Sequence, residues 1–468
     1  MTEATVRRYH EATKHRPGRP SASPYGLEWR NEPDLFKRYP AIEPERPPEQ
    51  LARLLHLGAG VHPRRGDPHY RTFMSAGALH PVELYVATAA GLSHYHPGQG
   101  ALRRLRTEDP GTALAAAAAA PELARAELVL ILTGILWRTA WKYGARGWRH
   151  IFWDAGAMLA NLLALAAGPR LLTAFVDADV GETLGVEPRR EAPVALVTAG
   201  TGERGSGPPE LEPLHHESAP LSRREHRFPE AEEAQAASAL SGPEEVRAWR
   251  EQAQRFGPRS GTGEPPAALD EVILRRGSAR GFTPDPVGSD ELESMLASAC
   301  SPLPGDLPPL CSTFVIAHAV KDLESGVYRF QPPDRFERVR RGADRRWTAH
   351  LCLDQPHGGD AAATVFLTAD LDRTLSALGD RGYRAAQLDA GIRAGRASLG
   401  AYARGLGATG LTFYDDDVRS FLDTDEEPMM CFAVGVDAYR PWLRRAGRVT
   451  DNPVSRPPKT GNAGHGPL

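Results

Sequence analysis

At 468 residues the chain is long enough for two or three domains, each able to bury a core of its own. Hydrophobic residues make up 41% and charged residues 25%, ordinary for a soluble globular protein, and a formal net charge of -3 excludes the basic footprint that nucleic acid demands. The cysteines, Cys300, Cys311, Cys352 and Cys431, include no Cys-x-x-Cys pair, so neither a disulfide framework nor a zinc site is indicated and a reducing, cytoplasmic setting is expected.

Residues 1–50, rich in Pro, Arg and aromatic residues, are expected to wrap a surface as an N-terminal extension. They contain no apolar leader, and the longest apolar run, Ala155 to Ala167, is too short to cross a bilayer, so no membrane partner is expected. Leu51, Leu54, Leu55 and Leu57 share a helical face. Val82, Leu84 and Val86 alternate as a half-buried strand entered through Pro81, and Leu128 to Leu132 reads as another. A long amphipathic helix follows, with Ile151, Ala155, Met158, Leu159, Leu162 and Ala166 on one face, before a closing strand at Val194 to Val197. Residues 203–267 are rich in Pro, Glu and Ser and read as a linker with one short helix over Glu244 to Arg255. Strands return at Thr313 to Ile316, Thr364 to Leu367 and Met430 to Val434, with a helix from about Arg384 to Leu406, and residues 441–468 form a polar tail expected to be disordered.

The two helix-and-strand series, residues 51–202 and 268–440, repeat each other at one offset of 235. Gly144, Arg146, Gly147, Trp148 and Arg149 recur as Gly379, Arg381, Gly382, Tyr383 and Arg384, and Asp154-Ala155-Gly156 recurs as Asp389-Ala390-Gly391. Gly91, Pro97, Pro193 and Gly200 recur in the same register as Gly326, Pro332, Pro428 and Gly435. A period this long fits a duplicated domain rather than a solenoid.

Four short segments carry chemistry. Arg275-Arg276-Gly277-Ser278-Ala279-Arg280 gathers guanidiniums and a hydroxyl, the donor set for a phosphate monoester, although a solvated basic helix end would read the same. Ser75-Ala76-Gly77-Ala78 leads through Leu79-His80-Pro81 into a strand and lets backbone N–H groups approach a planar ligand, or simply makes a tight turn. Lys142 and Tyr143 set an amine beside a phenol, followed by Arg146 and Arg149, whose charge is expected to lower both pKa values. Only five of the 56 basic residues are lysine, which draws attention to Lys142; a surface lysine beside a core tyrosine is the plainer alternative. Gly410-Leu411 ends a small-residue run after the second long helix and offers backbone to a ligand face. Trp137, Trp141, Trp148 and Trp153 either roof an aromatic pocket or pack the core.

Together with Tyr9-His10, Lys14 and Asn161-Leu162, these segments resemble the FMN-dependent nitroreductase-like superfamily and, within it, the SagB-type dehydrogenases, the azoline oxidases of thiazole/oxazole-modified peptide biosynthesis. The resemblance covers roughly residues 9–202 and, more faintly, 268–437. It implies an α+β, three-layer nitroreductase-like fold, here duplicated in tandem as an intrachain pseudo-dimer. It implies FMN, with the phosphate held by Arg275, Arg276, Ser278 and Arg280 of the second copy and the ring by Ser75, Ala76, Gly77 and Ala78 of the first. Lys142 and Tyr143 would be the catalytic pair; at the constant offset their counterparts are Ala377 and Leu378. The region of the second copy matching the small-residue run is read as Pro302 to Pro309, so one complete site would be built from complementary halves. The implied substrate is a peptide or small molecule and the implied partner a cyclodehydratase complex. An NAD(P)H-dependent reductase of the same fold is the enzymatic alternative, and an inactive scaffold or peptide-binding partner the non-enzymatic one.

Overall fold

The computed structural model describes residues 4–18, 22–63, 67, 69–201, 207–208 and 210–440. The tail expected at 441–468 lies outside the described residues. The first copy folds around strands β1 (Pro44–Glu45), β2 (Val82–Thr88), β3 (Gly91–His96), β4 (Ala101–Arg106), β5 (Ala126–Ile135), β6 (Arg170–Leu172) and β7 (Glu191–Thr201), ordered β1-β4-β3-β2-β5-β7-β6. The second uses β8 (Ser312–Ala317), β9 (Gly326–Gln331), β10 (Arg335–Arg341), β11 (Ala363–Ala369), β12 (Gly407–Leu411) and β13 (Glu427–Gly435), ordered β10-β9-β8-β11-β13-β12. Every strand pairing is antiparallel, and the orders match once β1, a gift of the N-terminal segment, is set aside. The fold is α+β, with antiparallel sheets and helices, in tandem duplicate. Strand β2 is buried on both faces along Val82–Ala87, not half-buried, because helices cover one side and further apolar residues the other.

The repeated Asp-Ala-Gly explains itself in the packing. The helices Gly147–Leu165 and Arg381–Ala403 cross so closely that a Cβ on Gly156 would stand 2.4 Å from the Gly391 carbonyl carbon, and one on Gly391 2.7 Å from the Phe152 oxygen. Only glycine lets two backbones approach this far. The crossing is the pseudo-twofold centre, and reciprocal ion pairs flank it. Arg146 and Arg149 bind Asp415 of the second copy at 2.9 and 2.8 Å, while Arg381 and Arg384, their counterparts, bind Asp177 of the first, the latter at 2.7 Å. All six side chains are buried.

The flanking segments are structural. The helix Thr5–Ala12 buries Val6, Tyr9 and His10 between the copies, and Lys14 reaches Glu427 at 3.2 Å. The start of the described N-terminal segment thus contributes side chains to the core. The region after β7 contains a helix at Pro229–Ala237 besides the expected one, which spans Pro243–Gln254. Trp249 of the latter donates to the Leu378 carbonyl (3.1 Å), and Arg250 bonds Asp306 and the carbonyls of Ala119 and Ala174. Trp137, Trp141, Trp148 and Trp153 are buried, with indole N–H groups given to Ser222, the Glu28 carbonyl, Gln235 and Gln387: they pack the core.

Candidate active site between the copies

The segment leading into β2 makes a 3-10 turn at Ala76–Ala78 in which Gly77 takes φ +63°. A Cβ there would lie 2.6 Å from the Tyr143 hydroxyl and 3.4 Å from the Lys142 amine, so the turn and the Lys142–Tyr143 pair share one surface on which Gly77 is exposed. Ala78 and His80 also take positive φ, a strain held in place by surrounding bonds. Ser75 is the hub: its hydroxyl donates to Asp154, and its oxygen accepts the His80 N–H at 2.9 Å. The Ala76 N–H donates to the other Asp154 oxygen at 3.0 Å. Burial pushes Asp154 up to about 7.

Tyr143 ends the helix Leu136–Tyr143, and its amine neighbour Lys142 stands over its ring at 5.5 Å. Neither side chain has a hydrogen-bond partner among the described residues. Burial, and behind it Asp154, raises the Tyr143 pKa. The expected lowering of the phenol by arginines is thus overturned, because Arg146 and Arg149 turn away to Asp415 and leave the phenol facing a carboxyl. The Tyr143 ring meets His150 edge-on at 4.3 Å, and His150 stacks on Trp153. His150 is buried with neither ring nitrogen partnered among the described residues.

The arginine segment of the second copy arrives from the other side. Ser278 bridges Ala408 of β12 in parallel register, and the Ala279 N–H donates to the Ala408 carbonyl at 3.0 Å, which runs Ser278 to Arg280 alongside Ala408 to Gly410. Gly407 to Leu411 of the small-residue run form an edge strand, with Gly410 exposed and room for a Cβ around it. Arg276 is buried and gives Nη2 to the Arg71 carbonyl (3.0 Å) and Nε to that of Thr72 (3.3 Å), just before the Ser75 turn. One guanidinium thereby ties the two half-sites together. Arg275 keeps one buried nitrogen without a partner among the described residues, and Arg280 is exposed with its carbonyl held by His357. No hydrogen bond joins the Arg275, Ser278 or Arg280 side chains to the Ser75 turn among the described residues.

The equivalent place in the second copy is different. Asp389 accepts the N–H groups of Leu310 (2.9 Å) and Cys311 (3.0 Å), as Asp154 accepts those of the Ser75 turn. The counterpart of Ser75-Ala76 is therefore Leu310-Cys311, at the constant offset, and not Pro302 to Pro309. That stretch instead reaches the first copy, where Gly305 bridges Leu171 and Asp306 accepts from Thr173. Sequence reasoning also passed over Asp154 as a site residue, although its recurrence as Asp389 was the available signal; for Arg259 and His150 there was none.

A model described as the nitroreductase family matches residues 43–201 and again 273–436. A protein of Methanocaldococcus jannaschii named as a nitroreductase is 32% identical over 162 residues, 32% of this chain and 79% of its own. A crystal structure from Anabaena variabilis, titled as a nitroreductase, superposes with TM-score 0.75 at 25% identity, covering 93% of this chain and 99% of that one, so both copies are present there too.

Proposed function

Because the chain belongs to the nitroreductase family, we propose that this oxidoreductase binds FMN between its copies and acts as a SagB-type dehydrogenase, oxidising azoline rings of a modified peptide to azoles. The observation that carries the reading is the meeting, through Arg276, of the arginine segment of one copy with the Ser75 turn of the other, beside the unpartnered Lys142 and Tyr143. The residues suit FMN: the unpaired Arg275 nitrogen and the exposed Arg280 supply cationic donors for a phosphate, and the exposed backbone at Gly77 and Gly410 gives a planar ring close approach.

When bound, FMN supplies the two-electron acceptor, taking a hydride from one azoline carbon. The other hydrogen leaves as a proton, for which Lys142 and Tyr143 are the groups at hand. Tyr143, held protonated, presents its O–H to a substrate heteroatom, and the Lys142 amine is the group placed to take the proton. The Ser75–Asp154 bond keeps the turn against the pair. Oxygen is the re-oxidant and a cyclodehydratase the partner that makes the ring.

The test is to load purified protein with FMN and offer it a thiazoline peptide in air: one azole formed per oxygen consumed is expected. The nitroreductase name of the relatives favours a second reading, hydride from NAD(P)H. Bleaching of the flavin by NADH, with no peptide oxidation, selects that reading, and a colourless protein that gains no flavin rejects both in favour of a scaffold.

A further inference from the structure

Asp154 and Asp389 stand at equivalent points of the two long helices, and each ties down the segment that enters the first central strand of its copy. Their remaining neighbours differ. Asp389 faces Arg259, from beyond the helix Pro243–Gln254, at 2.6 Å, and Arg393 from its own helix at 3.2 Å. Arg259 is buried and gives its second amine to the Pro308 carbonyl. Asp154 makes no ion pair among the described residues: the counterpart of Arg393 is Met158, that of Arg259 is Pro24, and the Lys142 amine lies at Gly77 of the turn. The groups that face Asp154 are the Ser75 hydroxyl and Ala76 N–H of the turn and, from the helix Leu136–Tyr143, the Tyr143 phenol. Two arginines hold the Asp389 carboxyl far below the usual carboxylate range, whereas Asp154 sits at about 7.

A buried carboxylate without a cation costs stability, and a neutral amide of the same shape would relieve that cost. Where the fold needs a carboxylate it supplies the arginines, as at Asp389. We propose that Asp154 is a positioning residue of the working site, left without a cation so that an N–H donor of the bound ligand takes the place beside it that Arg259 takes beside Asp389. The linker thereby closes one of two pseudo-equivalent sites with a side chain and leaves the other for the cofactor. This rests on the FMN reading above.

The experiment compares the full chain with Asp154→Asn and Asp389→Asn, measuring Tm without flavin from pH 5 to 8.5 and FMN affinity by fluorescence quenching. Because the folded pKa of Asp154 is raised, its ionisation penalty is absent below the ordinary carboxylate pKa, grows as pH rises toward about 7 and is constant above. Asp154→Asn is therefore expected to raise Tm, with a gain that grows to pH 7 and levels off, while weakening FMN about 10- to 100-fold, the worth of a charge-assisted hydrogen bond. Asp389→Asn is expected to lower Tm and leave FMN affinity within about twofold. If the wild type fails to take FMN, the cofactor reading fails with it. If the wild type binds FMN and Asp154→Asn binds it equally well, or unfolds more readily, the cofactor reading stands and this inference is overturned.

Discussion

Tyr143 and Lys142 are presented by a helix whose counterpart, Leu371–Leu378, ends in Ala377 and Leu378, so the fold itself does not require an amine or a phenol there. Trp153 and His150, which back the Tyr143 ring, are likewise replaced, by Leu388 and Ala385. Lys142→Ala and Tyr143→Phe should therefore leave Tm and FMN content near wild type and lower peptide oxidation by roughly 10²- to 10⁴-fold, as loss of acid–base catalysis does. Single-turnover flavin reduction by the peptide, followed by oxygen re-oxidation, measures the step directly. A Tyr143→Phe variant with wild-type reduction rate removes the phenol from the mechanism. Because the phenol stays protonated well above neutrality, titration of Tyr143 should leave no ionisation in the pH–rate profile between pH 6 and 10, and an alkaline limb that vanishes in Tyr143→Phe would contradict that.

At the scale of elements, the long helices and the central strands were legible because their apolar periodicity is strong: Val194 to Val197 sits within β7 and Thr364 to Leu367 within β11. Strands β9 and β10 were not, since β10 reads Arg-Phe-Glu-Arg-Val-Arg-Arg, an exposed edge whose polarity hides the strand. The Ser75 turn and its neighbours Lys142 and Tyr143 stand out by residue type, whereas Leu310-Cys311 does not: the constant offset of 235 assigns it as the counterpart of Ser75-Ala76, but its dissimilar side chains hide that equivalence until the bonds to Asp389 show it. Two predictions belong here. Gly156→Ala places a methyl against the Gly391 backbone and should cost about 1–3 kcal/mol through overpacking, read as a lower urea midpoint. Asp415→Ala strands Arg146 and Arg149 in the interface and should cost about 3–5 kcal/mol. The pKa of Asp415 is depressed in the fold, so its stabilisation is complete above the unfolded value near 4 and drains away as pH falls below it. Acid unfolding should therefore be steeper in the wild type than in Asp415→Ala.

Over the whole molecule, the two copies have kept one architecture and diverged in their side chains. The pseudo-twofold survives where it builds the interface, in the Gly156–Gly391 crossing and the paired Asp177 and Asp415 clusters, and it fails at the two sites. In the proposed site the first copy keeps Ser75, Lys142 and Tyr143, and Arg276 of the second copy bonds the carbonyls of Arg71 and Thr72 beside them. At the mirror position Leu378 replaces the phenol and receives Trp249, while Arg259 occupies Asp389, so residues of the linker stand on both. A relative built the same way along its whole length indicates that both copies travel together. The expected consequence is one FMN per chain. Heat or acid release of flavin from protein of known concentration measures the ratio, and the released cofactor can be titrated back by fluorescence to check that a single class of site refills. A value near one, with Arg275→Ala and Arg280→Ala each weakening binding by about 1.5–3 kcal/mol, agrees with a phosphate held by the second copy alone. A value near two would mean that Arg259 and Trp249 move aside for a second flavin, and that the linker is a cover rather than a fixed part of the core.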